Sequence, residues 1–238
     1  AFRACNMGVR ATIIMPEQTP FAKVERTRAY GAEIVLEGRN LNECESSVNA
    51  LIDEYGYTLI HPYDNPHVVA GQGTAGLEML QSVPDLDMLV VPIGGGGLIA
   101  GMALIAKSIK PEIQIIGVEA ELYPSVSQRI AGQPVICGGE TIAEGIAVKS
   151  PGNITLPIIE ELVDDIILVS EQQLEWAVGT LAEQQRIIAE GAGAASLAAI
   201  ARAPSRFKGR KIGGIICGGN IDMRLLGTIL NRNMMSDG

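Results

Sequence analysis

The sequence predicts an α/β fold in which two open, mostly parallel twisted sheets are flanked by helices. Three observations predict it. Short apolar stretches rich in Val and Ile alternate with longer helical patterns along the 238-residue chain, as strands and crossover helices do in parallel sheets. Most of these short stretches are apolar at successive positions, which indicates strands that are covered on both faces. Four consecutive glycines, residues 94–97, directly follow one predicted strand.

The sequence of residues 1–64 predicts a small, partial domain. Its predicted strands are ATIIMP (residues 11–16), AEIVLEG (32–38) and TLIHP (58–62). The first predicted helix begins with Thr19 as N-cap and Pro20 at the first helical position, and it ends at Gly31. The second helix covers residues 41–56 and ends at Gly56.

The sequence of residues 65–238 predicts a larger, partial domain in which strands and helices again alternate. Residues 71–74 (GQGT) are predicted as a loop that leads into a helix, and residues 120–157 as a loop-rich region. Ser170 and Gln173 form a capping box for a long helix. The predicted strands of this domain cover residues 88–93, 113–119, 165–170 and 211–220, and its predicted helices cover residues 75–84, 98–111, 157–163 and 171–188. Residues 189–201 are rich in small residues.

Composition excludes several classes of function. The formal net charge is −9, so nucleic acid is not an expected partner. The four cysteines lie far apart and only two histidines occur, which indicates neither a zinc site nor a disulfide framework and fits a cytoplasmic protein. Residues 88–106 carry no charge, but the proline and four glycines at their centre favour a strand, a loop and a helix over a membrane span.

The glycine tract predicts an anion site. Glycines between a strand and a helix leave bare N–H groups beside the positive end of the helix dipole, where phosphate binds well. A tight crossover is the ordinary alternative, but it needs only one or two glycines. Gly95, Gly97 and Ala100 also satisfy the Gly-x-Gly-x-x-Ala fingerprint, with Glu119 closing the next strand, so a nicotinamide dinucleotide is a competing ligand. That ligand leaves the second glycine-rich strand end, residues 216–220, unexplained.

Several segments together resemble one family. Residues 61–80, 90–103, 140–171, 189–200 and 215–220 are similar, in the same order, to threonine dehydratases and serine racemases, which are fold-type II pyridoxal-phosphate enzymes. The resemblance covers essentially the whole chain. It implies that Gly94, Gly95, Gly96 and Gly97 hold the phosphate of pyridoxal 5′-phosphate, that Cys217 meets the pyridine nitrogen, that Glu190 and Gly145 line the cofactor, and that residues 71–74 lie beside its ring.

Each of these residues also has an ordinary interpretation. Most free cysteines are small buried hydrophobic residues, so Cys217 alone would indicate packing. Glu190 could be a charge at a helix end and Gly145 a turn. If Cys217 does face the pyridine nitrogen, its thiol cannot hold that nitrogen protonated as an aspartate would. The ring is then a weaker electron sink, which favours prompt loss of a β-hydroxyl group.

The activity implied is a threonine (or serine) ammonia-lyase, which forms a 2-oxo acid and ammonia from a small amino-acid substrate. The alternatives are a serine racemase and a non-catalytic protein that binds phosphate or pyridoxal phosphate. Some relatives also bind a divalent cation, and Glu119 and the backbone carbonyl of Tyr123 match two of its ligand positions. Ser125 replaces the aspartate at the third position, so we expect the cation site to be weakened considerably.

The family's Schiff-base lysine belongs to a Ser-Phe-Lys motif, and none of the six lysines of this sequence lies in such a motif. The chain resembles an enzyme truncated at its N-terminus, and its last residues resemble a junction to a regulatory domain. We therefore predict no catalytic residue among these 238 and no activity for the chain alone. We also predict a homo-oligomer, because the missing strands would leave apolar sheet edges uncovered.

Overall fold

The computed structural model describes residues 1–19, 21–38 and 43–236. It divides the chain into two compact units, residues 1–60 and residues 61–238. The sequence placed this boundary after residue 64. Among the described residues, no helix is both long enough and apolar enough to cross a membrane.

The smaller unit contains a two-stranded parallel sheet. Strands β1 (Thr12–Met15) and β2 (Glu33–Leu36) pair with Ile13 opposite Ile34. Gly56 ends the last helix in the left-handed conformation, with φ 67°, as predicted. The predicted strand at residues 58–62 is wrong, since none of these residues is in a strand. Pro20 and residues 41–42 lie outside the described residues. The elements in chain order are α1 (Phe2–Asn6), β1 (Thr12–Met15), α2 (Phe21–Ala29), β2 (Glu33–Leu36) and α3 (Glu45–Tyr55).

The larger unit contains a four-stranded sheet, and every pairing in it is parallel. The order of its strands is β5 (Asp165–Val169), β4 (Gln114–Ala120), β3 (Met88–Pro92) and β6 (Ile212–Gly214). The predicted α/β class is therefore confirmed. Its elements are α4 (Pro66–Ser82), β3 (Met88–Pro92), α5 (Gly97–Ile109), β4 (Gln114–Ala120), α6 (Ser125–Ile130), a 3₁₀ turn (Glu144–Ile146), α7 (Thr155–Leu162), β5 (Asp165–Val169), α8 (Glu171–Gln185), α9 (Gly191–Arg202), α10 (Pro204–Phe207), β6 (Ile212–Gly214) and α11 (Met223–Ser236).

Both faces of the larger sheet are covered. Alternate residues of β3 point to opposite sides, so Val90 lies in one buried cluster with Leu174 of α8 and Ala195 of α9, whereas Leu89 lies in a second cluster with Met102 of α5. Every residue of β3 is buried. This burial explains why the strand is apolar at successive positions, as the sequence indicated.

Local capping signals decide several element boundaries. The capping box of Ser170 and Gln173 is present at the start of α8, as predicted. Helix α4 begins earlier than predicted, because Asn65 Oδ1 accepts hydrogen bonds from His67 N at 2.9 Å and Val68 N at 3.4 Å and Pro66 suits the first turn. Residues 71–74 are therefore helical, and the predicted loop there is wrong.

The C-terminal part of the chain differs most from the prediction. Strand β6 covers only three residues of the predicted strand 211–220. Helix α11 was not predicted, although the sequence carries its start signal. Asp222 Oδ1 accepts hydrogen bonds from Arg224 N at 2.7 Å and Leu225 N at 3.2 Å, and Leu226 and Ile229 are buried in the core.

Candidate functional site

The glycine tract lies at the carboxyl end of β3. This strand has β4 on one side and β6 on the other, so the turn that follows it is at the middle of the sheet edge where ligands bind in open parallel sheets. Gly96 is the N-cap of α5, with φ 92°. That left-handed conformation is accessible to glycine at little cost.

The turn presents bare amide groups. Among the described residues, no hydrogen bond is formed by the backbone N–H of Gly94, Gly95 or Gly96. These groups stand at the N-terminus of the 13-residue helix α5, where the helix dipole is positive. The arrangement supplies several N–H donors and favourable electrostatics for an anion, as the glycine tract predicted.

Three segments of the larger unit approach these glycines closely. A Cβ on Gly94 would lie 3.1 Å from Gly145 O, one on Gly95 would lie 2.2 Å from Tyr63 Cγ, and one on Gly96 would lie 2.7 Å from Ile159 Cδ1. In the sequence, the bare backbone suggested the close approach of a ligand. The structure gives a different reason, because protein atoms already lie where the Cβ atoms would be. The unpaired N–H groups are what remains available to a ligand.

Cys217 lies at the same edge of the sheet as the glycine turn. Gly214 of β6 pairs with Val90 of β3, and Cys217 and Ile93 each come three residues later. Although Cys217 is exposed as a residue, its Sγ is 3.8 Å from Ala192 O. Burial of the thiol, with a smaller contribution from Glu190, raises its pKa, so the thiol is mostly neutral at pH 7.

Glu190 contacts the glycine-rich segment after β6, and Gly145 lies between Glu190 and the glycine turn after β3. Glu190 Oε2 accepts a hydrogen bond from Asn220 N at 2.9 Å, and Glu190 N donates to Gly218 O at 3.1 Å. A Cβ on Gly145 would lie 3.2 Å from Glu190 Oε1. The structure thus brings the predicted cofactor residues together, and their roles toward a cofactor stay predictions. Residues 71–74 lie within α4, where Thr74 Oγ1 donates to Gly71 O at 2.7 Å.

Glu119 is fully buried, and its carboxylate binds the first turn of α6. Its Oε1 accepts from Val126 N at 2.8 Å, and its Oε2 accepts from Ser127 N at 3.0 Å and Ser127 Oγ at 2.7 Å. Burial raises the pKa of this carboxyl group, although the three hydrogen bonds act in the opposite direction. A buried carboxylate that is bound in this way is not available to a ribose hydroxyl, which argues against the dinucleotide alternative.

These contacts also do not fit a divalent cation. Both oxygens of Glu119 already accept hydrogen bonds. The Tyr123 hydroxyl donates to Gly139 O at 2.9 Å, a contact that does not involve the backbone carbonyl group implied as a ligand. Ser125 Oγ is buried without a hydrogen-bond partner among the described residues, where a hard cation would require a charged oxygen. The described part of the chain contains no group of three or more His, Cys, Asp or Glu residues that could hold a metal ion.

Glu119→Gln is expected to destabilise the protein most at acid pH. Because the folded-state pKa is raised above its ordinary value of 4.5, the folded state binds more protons above that pH than the unfolded state does. The stability that Glu119 contributes is therefore fully present below pH 4.5 and is lost as pH rises through the folded-state pKa. The loss is about 1.4 kcal/mol for each pH unit that separates the folded and unfolded pKa values.

The measurement is urea unfolding of wild type and Glu119→Gln from about pH 5 to about pH 8. The difference in unfolding free energy between the two should shrink as pH rises. Glu112→Gln, at an exposed position, is the matched control. A Glu119→Gln difference that is constant or grows with pH would contradict the raised pKa.

Three residues of this region carry no sequence signal for the role that the structure gives them. Tyr63 packs on Gly95 and Gly97, Asp64 Oδ1 accepts from Ile154 N at 2.8 Å, and Thr155 Oγ1 donates to Gly95 O at 2.6 Å. Tyr63 and Asp64 stand within segment 61–80, and Thr155 stands within segment 140–171, both of which carry the family resemblance. Their partners are distant in sequence, so no local pattern assigned them a role.

Four of the six lysines lie away from this edge of the sheet. Lys110 and Lys211 come just before β4 and β6, at the amino ends of the strands, where Lys110 Nζ donates to Leu86 O at 2.8 Å and Lys211 pairs with Asp85. Lys107 is in the last turn of α5, and Lys208 precedes β6.

The comparisons with known proteins agree with the motifs. Residues 1–218 match the family model described as pyridoxal-phosphate dependent enzyme. The L-threonine ammonia-lyase of Thermotoga maritima is 39% identical over 246 residues, which cover 100% of this chain and 60% of that protein. The chain therefore spans 60% of the length of this relative.

Solved structures show the same likeness. The processed form of threonine deaminase isoform 2 from Solanum lycopersicum has a TM-score of 0.87 and 33% sequence identity, with 94% of this chain and 63% of that chain covered. The serine racemase from Dictyostelium discoideum has a TM-score of 0.83 and 34% identity, with 93% and 72% covered. The resemblance drawn from the motifs is confirmed: the chain belongs to the family of pyridoxal-phosphate dependent enzymes.

Proposed function

We propose that the protein is a pyridoxal-phosphate-dependent threonine (or serine) ammonia-lyase. The observation that carries the proposal is the pairing of a bare-amide turn at the end of β3 with a thiol at the end of the neighbouring strand β6. The names of the relatives support the same reaction. When bound, pyridoxal phosphate supplies an electron sink that weakens bonds at the Cα of an amino acid.

The residues of the turn fit the phosphate group of this cofactor. The unpaired N–H groups of Gly94, Gly95 and Gly96 supply donors, and the dipole of α5 favours the negative charge. No cationic side chain is needed for this recognition, since backbone amides form charge-assisted hydrogen bonds with an anion.

Cys217 fits the position opposite a pyridine nitrogen. Its raised pKa keeps the thiol neutral near pH 7, so it forms a weak hydrogen bond and does not impose a charge on the ring. A neutral thiol at this position would add no charge to the ring, which would favour loss of the β-hydroxyl group over racemisation.

The chain alone is expected to lack activity. Covalent catalysis with this cofactor needs an amine beside the site, and none of the six lysines lies in the Ser-Phe-Lys motif that supplies it in the family. We further propose a cytoplasmic homo-oligomer. The wide spacing of the four cysteines along the sequence is consistent with that compartment, and the exposed side chains of Leu104 and Ile109 on α5 are consistent with a contact between copies.

The test is an assay of 2-oxobutyrate and ammonia from L-threonine, with pyridoxal phosphate added to the complete gene product and, separately, to the 238-residue chain. We expect turnover by the complete product and a rate at least about 10³-fold lower for the chain alone. D-serine formation from L-serine is measured in parallel. A complete product that forms D-serine but no 2-oxo acid would contradict the lyase assignment, and full turnover by the 238-residue chain would contradict its expected inactivity.

A further inference from the structure

The carbonyl group of Gly95 is held on the side of the turn that faces α7. Thr155 Oγ1 donates to Gly95 O at 2.6 Å, and Gly152 N donates to the same oxygen at 3.3 Å. Thr155 is fully buried, so its hydroxyl group has no competing water. The short distance and the burial make this the stronger of the two contacts.

Fixing this carbonyl also fixes the direction of an N–H group. The C=O and the following N–H of a planar trans peptide point in opposite directions, and no described peptide bond is cis. With Gly95 O directed toward Thr155, the N–H of Gly96 is directed away from α7. Between two glycines the peptide plane could otherwise rotate at little cost, because glycine tolerates both signs of φ.

Asp64 holds Thr155 in place. Its carboxylate accepts hydrogen bonds from Asn153 N at 2.8 Å, Ile154 N at 2.8 Å and Thr155 N at 3.3 Å. A carboxylate at this position satisfies the free amides at the start of α7 and interacts favourably with the helix dipole. Gly152 lets the carboxylate approach, since a Cβ there would lie 2.2 Å from Asp64 Oδ1.

We propose that Thr155, held by Asp64, is a positioning residue for the phosphate-binding turn: by fixing the Gly95 carbonyl it aims the Gly96 N–H at the anion. The inference rests on the proposed function, because it takes the phosphate of the cofactor as that anion. Thr155 does not touch the ligand and acts only through the peptide that it orients.

The test compares Thr155→Val, which removes the hydroxyl group at nearly constant shape, with Thr155→Ser, which keeps it. The probes are pyridoxine 5′-phosphate, which has no aldehyde and so needs no lysine, pyridoxine and inorganic phosphate. Dissociation constants are measured by calorimetry on the cofactor-free complete gene product. We expect Thr155→Val to weaken pyridoxine 5′-phosphate binding about tenfold, as for the loss of one good hydrogen bond, and Thr155→Ser to change it less than about twofold.

The dissociation constant of pyridoxine divided by that of pyridoxine 5′-phosphate separates a positioning role from a general disturbance of the site. Positioning predicts that this ratio falls in Thr155→Val, because only the binding of the phosphate group is weakened. An unchanged ratio, with both ligands weakened alike, would overturn the proposal. Should Thr155→Val fail to fold, Asp64→Asn is used, with a smaller fall in the same ratio expected and an unchanged ratio again overturning it.

Inorganic phosphate distinguishes this inference from the proposed function. If wild type binds inorganic phosphate but not pyridoxine 5′-phosphate, the proposed function fails, and the inorganic phosphate constants of the two Thr155 variants still decide the positioning role. If wild type binds neither ligand, both proposals are overturned.

Discussion

Gly101→Ala is expected to lower the free energy of unfolding of the larger unit by about 3 kcal/mol, the upper end of the usual cost of overpacking. A Cβ at this position would lie 2.2 Å from Val69 O and 2.6 Å from Gly73 N. Both atoms belong to the backbone of α4, which cannot yield as a flexible side chain would. Helices α4 and α5 must therefore move apart, and this cost exceeds the roughly 1 kcal/mol that alanine gains over glycine in a helix.

Gly71→Ala is the matched control for this prediction. Gly71 lies in α4, and apart from its chain neighbours and the nearby backbone of its own helix, no atom would lie within 4 Å of a Cβ there. Alanine should raise the unfolding free energy by about 0.5–1 kcal/mol, since it has the better helix propensity and restricts the unfolded chain. Urea unfolding of both variants measures the two effects. Equal effects in the same direction would contradict the close contact of the two helices.

Gly95→Ala is expected to weaken inorganic phosphate binding at least about tenfold and to lower the unfolding free energy by about 2 kcal/mol. The added Cβ would lie 2.2–2.3 Å from three ring atoms of Tyr63. The ring cannot turn aside freely, because it packs against His61 with 4.6 Å between the ring centroids and its hydroxyl group donates to Ser150 O at 3.2 Å. Either the ring or the turn must move.

The double variant with Tyr63→Ala tests that cause. Tyr63→Ala removes the three clashing ring atoms, so Gly95→Ala should cost less in its background than in wild type. We expect the double variant to lose about 1–2 kcal/mol less unfolding free energy than the two single variants lose in sum, which is within the range of coupling between residues in contact. Strict additivity, measured by urea unfolding, would show that the tyrosine ring is not what excludes a side chain at Gly95.

The contrast between two predicted elements shows where sequence patterns fail. The capping box of α8 was found because Ser170 and Gln173 act within a single turn. The apolar segment 58–62 carried an equally clear strand pattern, but a strand needs a hydrogen-bonding neighbour. Ile60 is 74% exposed, and no described residue pairs with this segment in a sheet. Pairing depends on where other segments lie, which a short stretch of sequence does not contain.

Short-range signals were enough to predict the α/β class, the order of most strands and helices, the glycine turn and the family. These signals are apolar periodicity, helix caps, consecutive glycines and motifs in a constant order. The parallel sheet then placed Cys217 at the same edge of the sheet as the turn, because equivalent positions after neighbouring parallel strands meet at one edge.

The partners of the buried polar groups were set by packing and could not be predicted from local patterns. Glu119 suggested a metal or ribose ligand, yet its carboxylate binds the first turn of α6. Asp64 and Thr155 had no assigned role, and they hold the glycine turn through partners 90 and 60 residues away in the chain. Hydrogen bonds over such separations form only when the folded chain brings the two segments together.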